Sequence, residues 1–150
     1  MTDRKSILVE VAPGELFDKI SILEIKAARI ADPAKLAHVR DELAMLKSVR
    51  EASISLFDAL VPCLRELKAV NEALWDIEDA IRAEEAAARF GPRFIALARA
   101  VYQTNDRRAA IKKRINELLG STLVEEKSYG ADGAAIPGEP ALAGAPAKRG

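Results

Sequence analysis

Val70 to Arg82 reads V-N-E-A-L-W-D-I-E-D-A-I-R, and it decides the fold. It lies within a longer apolar row: Leu56, Leu60, Cys63, Leu67, Val70, Leu74, Ile77 and Ile81. The steps alternate between four and three residues, the period of a helix seam packed against other helices. Beside the seam runs a second row of Asn71, Trp75, Glu78, Arg82 and Glu85. An amide, an indole, two carboxylates and a guanidinium therefore share the shoulder of a buried stripe.

Working outward, glycine and proline mark where the other helices begin and end. Pro13 suits the first turn of a helix, where its missing N–H costs nothing. Helix one is expected from there to about Ile30, with stripe Leu16, Ile20, Leu23, Ala27 and Ile30. Phe17, Ile22 and Ile25 widen its apolar surface, so it should be covered on more than one side. Asp32-Pro33 reads as an N-cap and helix start, followed by Leu36, Val39, Leu43 and Leu46. A turn is expected near residues 52–55, with Pro62 in the first turn of helix three; a break just before Pro62 is the competing reading. Helix three should run to about Arg89, with Gly91 as its left-handed stop and Pro92 opening helix four. Helix four carries Phe94, Leu97, Val101, Ile111, Ile115 and Leu118. Thr104 and Arg108 interrupt the stripe, and Gly120 ends it.

The expected fold is all-α: an antiparallel bundle of about four helices with a long central helix three, spanning residues 1–129. Ser6–Val11 and Ser121–Tyr129 are possible extended segments, the second packing back beside the first. Alanine, glycine and proline supply 15 of the 21 residues from 130 to 150, and that tail is expected to be disordered.

Composition narrows the function classes. Charged residues make up 31% of the chain and aromatics 5%, with 23 basic and 23 acidic residues and zero formal net charge. Nothing there marks a nucleic-acid footprint. Cys63 and His38 are single, so no Cys/His metal site can be assembled, and no cofactor is expected. Cys63 falls on the seam as a small buried hydrophobe, and His38 among exposed residues. No apolar run reaches membrane-spanning length, and the expected location is the cytoplasm.

Across an antiparallel turn near residue 91, Glu78 stands level with Asn105, and Trp75 with Arg107 or Arg108. Asn71, Glu78 and Arg82 can then meet Tyr102, Asn105 and Asp106, either as a register-fixing network or as a ligand pocket. Glu78 and Arg82 are expected inside it, as an internal pair. A second set, Glu15 with Asp18 and Asp76 with Asp79, has the carboxylate spacing for Mg²⁺ in an all-helical nucleotide pyrophosphohydrolase. The run Arg107, Arg108, Lys112, Lys113, Arg114 reads as a solvated helix face.

Four stretches together resemble a known family: P-G-E-L-F-D-K-I-S-I-L-E-I-K at 13–26, V-N-E-A-L-W-D-I-E-D-A-I-R at 70–82, V-Y-Q-T-N-D-R-R-A-A-I-K-K-R-I-N at 101–116 and L-V-E-E-K-S-Y at 123–129. The resemblance is to small all-helical bacterial and phage proteins grouped as a domain of unknown function. It covers residues 7–129 and implies no activity. It directs attention to Asp18, Lys19, Glu24, Lys26, Asn71, Trp75, Glu78, Asp79, Arg82, Tyr102, Asn105, Asp106, Arg107, Glu126 and Lys127. The favoured function is a non-enzymatic interaction or accessory module that binds an unidentified protein partner or itself, with no nucleic acid and no membrane. The alternative is a binder or enzyme acting on a phosphate- or carboxylate-bearing small molecule at the polar cluster. Exposure of the cluster separates the two: mutual satisfaction without a cavity favours the module, and an open cleft favours the ligand.

Overall fold

A computed structural model describes residues 5–123 and residue 126. Among them are four helices: α1 (Pro13–Arg29), α2 (Pro33–Ser53), α3 (Leu60–Ala86) and α4 (Pro92–Leu118). The starts follow the expected chemistry, with proline in the first turn of α1, α2 and α4. Asp32 sits at the N-cap of α2, although its side chain makes no capping hydrogen bond. The turn between α2 and α3 falls after Ser53, and Pro62 lies in the first turn of α3.

Both long helices end in the same backbone motif. At α4, Ser121 N–H donates to Asn116 O and Gly120 N–H to Glu117 O, with Gly120 at φ +64°. At α3, Arg89 N–H donates to Glu84 O and Ala88 N–H to Glu85 O, with Ala88 at φ +53°. These 6→1 and 5→2 bonds satisfy the last carbonyls and need a left-handed residue. The left-handed stop of α3 is thus Ala88, not Gly91. Gly91 is the N-cap of α4 in extended conformation. The Glu84 side chain adds a clamp, accepting from Arg89 Nε at 2.9 Å and from Arg93 Nε at 3.2 Å.

The seam of α3 is buried from Leu60 through Cys63, Leu67, Val70 and Leu74, then only half-buried at Ile77 and Ile81. Leu56 precedes the helix and is 49% exposed. Phe17, Leu60, Cys63, Leu67 and Ile115 form the tightest core cluster. α3 packs along α4, and α1 lies across both. α1 also carries α2, whose packing is on α1 alone, with Val39 its one buried side chain. α1 is therefore the helix that touches every other, which accounts for its broad apolar surface.

The N-terminal expectation is corrected. Residues 5–12 form no strand, and Ile7, Leu8 and Val9 are exposed. An extended segment needs a neighbour to take its backbone hydrogen bonds, and among the described residues no backbone hydrogen bond joins residues 5–11 to another segment. Ser121–Leu123 is a local turn, in which Leu123 N–H donates to Ser121 Oγ. The rest of the expected C-terminal segment, apart from Glu126, and the tail lie outside the described residues.

Candidate functional site: a polar cleft between α3 and α4

The site grows from a buried polar network. Gly14 opens α1 against α4, and its N–H donates to Asn116 Oδ1 at 2.7 Å. A Cβ at residue 14 would stand 2.6 Å from the Lys112 carbonyl oxygen, so only glycine allows this approach. The next residue, Glu15, accepts from Lys112 Nζ at 2.6 Å, and one turn along α1 Asp18 lies 3.8 Å from the same ammonium. That hydrogen bond holds the Glu15 carboxyl below its ordinary value. Asp18 and Ser21 in turn both accept from Asn71 Nδ2, at 2.8 and 2.7 Å. Asn71 finally accepts from Arg108 Nη1 at 3.5 Å. Carboxylates, amides and cations of α1, α3 and α4 are thereby linked, and the buried members stabilise one another's charge.

Outside this network the surface opens into a cleft of about 510 Å³. Ile22, Asn71 and Leu74 line it, with Trp75, Glu78, Asp79 and Arg82 along α3, and Asn105 and Arg108 on α4. The guanidinium of Arg29 lies 5.8 Å from the Trp75 ring centroid and also pairs with Asp76, bracing the α3 wall from α1.

The cluster expected from the antiparallel count is thus partly assembled. Asn71, Trp75, Glu78, Asp79, Arg82 and Asn105 share one cleft, and the α4 arginine opposite Trp75 is Arg108. Tyr102, Asp106 and Arg107 are exposed outside it. Their positions on α4 put Tyr102 and Asp106 on the side opposite Thr104 and Arg108, and Arg107 on the flank, outside the cleft. Lys19 is exposed, and Lys26 is half-buried without lining the cleft. Glu24 pairs with Lys68 at 3.0 Å, away from the cleft. Glu126 is exposed, and Lys127 lies outside the described residues.

Three expectations are overturned. Glu78 and Arg82 are a surface pair, 3.4 Å apart with side chains 44% and 80% exposed, because their row faces the open cleft and not a packed neighbour. The basic run of α4 is not uniformly solvated. Lys112 is buried and Arg108 half-buried, since Lys112 meets Glu15 and Asp18 of α1 and Arg108 meets Asn71 of α3. The two carboxylate pairs do not combine as a metal site: Glu15 and Asp18 face Lys112, while Asp76 is taken by Arg29. No cluster of three or more metal-ligating side chains occurs among the described residues.

Ser21, Lys112 and Asn116 escape the sequence reading as site residues, and Arg108 enters it only as one of two arginines level with Trp75. One signal for Arg108 was present, since it keeps phase with Val101, Ile111 and Ile115.

Residues 7–141 match a family described as a family of unknown function, DUF6165. The chain belongs to that family. The DUF6165 match extends past residue 129, the end of the four quoted motifs, into the Ala/Gly/Pro-rich stretch. No curated protein and no solved structure matches the chain. The DUF6165 fold is therefore described by its own helices, and among the described residues none is long and apolar enough to cross a membrane.

Proposed function

We propose that the α3–α4 cleft binds a small polar molecule carrying a carboxylate or phosphate. Arg108 carries this reading. The residue is half-buried and lines the cleft, and its hydrogen bond is a long one to a neutral amide oxygen, with no ion pair among the described residues. A partly desolvated guanidinium presents a fork of donors that suits a carboxylate or phosphate face. Glu78, Asp79 and Asn105 supply acceptors for hydroxyl or amino groups of the same ligand, and Trp75 supplies a flat apolar wall. The lining places carboxylates but no nucleophile beside a base, so the reading stops at binding.

A thermal-shift screen with sugar phosphates, nucleotides and hydroxy or amino acids tests it. A ligand at a hundred times its Kd adds about 2.7 kcal/mol. Arg108→Gln should abolish the shift, and Tyr102→Phe, outside the cleft, should keep it. No shift with any compound, or a shift that survives Arg108→Gln, rejects the reading.

A second reading, an interaction module, has support in the run Ile7, Leu8 and Val9, which is 87%, 97% and 73% exposed. Three consecutive bare apolar side chains suit a protein partner or a second copy. Light scattering across a concentration series should show association that Leu8→Glu removes. A concentration-independent monomer removes self-association.

A further inference from the structure

α2 and α3 both lie against α1 but not against each other. Between them opens a groove of about 310 Å³. Its floor is apolar, formed by Phe17 and Ile20 of α1 and by Val61, Leu64 and Leu67 of α3. Its rims are basic. Lys47 and Arg50 stand three residues apart on α2, and Arg65 and Lys68 three apart on α3. Side chains at that spacing share a helix face, so each helix turns a cationic pair toward the same groove. Lys68 is paired with Glu24, and Arg50 lies 3.6 Å from Glu51. Lys47 and Arg65 have neither hydrogen bond nor ion pair among the described residues. On a chain of zero formal charge, this groove concentrates positive charge over an apolar bed.

We propose that the groove binds a monomeric amphiphile with a medium-length apolar chain and one anionic head, a carboxylate or a phosphate. The chain lies along Phe17, Ile20 and Leu64, and the head sits between Lys47 and Arg65. A solvated basic face has no use for an apolar floor, and an apolar contact has no use for unpaired cations. An amphiphilic anion uses both. At about 310 Å³ the groove is at the small end of ligand pockets, which suits a medium-length chain rather than a full lipid tail. Each buried CH₂ should raise affinity about fourfold.

Isothermal titration of the full chain with octyl phosphate and octanoate, below their micelle concentrations, tests this against octanol and inorganic phosphate. The expected result is that one or both amphiphilic anions bind at least tenfold more tightly than either control, and which of them does identifies the head. Affinity should climb about fourfold per carbon from butyl to octyl. Lys47→Gln with Arg65→Gln, both at exposed positions, should weaken the anion at least tenfold and leave octanol unchanged. Arg108→Gln should leave this binding intact, which separates it from the cleft. Equal binding of octanol, insensitivity to the double variant, no binding of either anion, or binding only to anionic lipid vesicles overturns the proposal.

Discussion

Gly14 sets how closely α1 can lie on α4. Its N–H meets Asn116, and the carbonyl of Lys112 occupies the place where a Cβ would go. Gly14→Ala must therefore push the two helices apart, lengthening the Glu15–Lys112 contact as well. Overpacking of this kind costs about 1–3 kcal/mol, and urea denaturation should show it. A variant as stable as the parent would mean α1 can slide without loss. Glu78 is the contrasting case. Its pair with Arg82 is exposed on the cleft rim, so Glu78→Ala should cost no more than about 0.5 kcal/mol. A loss of several kcal/mol in the same denaturation experiment would place the pair in a packed environment instead.

The ends of the helices show how one motif can be built from different residues. α4 closes on Gly120, which adopts a left-handed conformation freely, and α3 closes on Ala88, which does not. The Glu84 clamp on Arg89 and Arg93 stabilises a turn that its own backbone disfavours. Ala88→Gly should therefore raise stability by about 0.5–1 kcal/mol, measured as a higher urea midpoint at unchanged slope. A lower midpoint would show that Ala88 gains more from its side chain than the conformation costs. Sequence signals at this scale are local, and they served well for Pro13, Pro33, Pro92 and Gly120. Gly91 misled because a glycine next to a proline suits a helix start as readily as a helix stop.

Across the whole molecule, stability should be uneven. α2 rests on α1 alone and buries only Val39, whereas α3 buries Leu60, Cys63, Leu67, Val70 and Leu74. Hydrogen exchange should open α2 well before the Leu60–Leu74 part of α3. Equal protection of the two would mean that the bundle opens only as one unit. Acid should act through Glu15 and Glu84, whose carboxyls are held below the ordinary value of 4.5 by Lys112 and by Arg89. A carboxyl with a depressed folded pKa stabilises fully above its unfolded value and loses that contribution as pH falls through the folded one. Melting temperature should thus decline below about pH 4.5, and more gently in Glu15→Gln. Parallel curves for the two proteins would remove Glu15 from the acid response.

What the sequence determined by itself is the set of helices and the inward face of α3. A 4-3 apolar period, proline at N1 and glycine past the last turn all act within a few residues, and no distant partner is needed to read them. The Leu60–Leu74 seam and the burial of Cys63 follow from that period alone. The polar residues are different. Asn71, Glu78 and Arg82 share one row, yet Asn71 is buried under Asp18 and Ser21 while Arg82 stands in solvent. Lys112 and Lys113 are neighbours in a basic run, yet the first is buried and the second exposed. What separates them is where α1 crosses α3 and α4, and that crossing is set by the contact of Gly14 with α4. A charged side chain shows no periodic preference until a partner covers it, because water and a buried counter-ion can satisfy it almost equally well. Only the tertiary structure, by laying α1 across one end of the α3–α4 pair, decided which cations became internal and which face stayed open as a cleft.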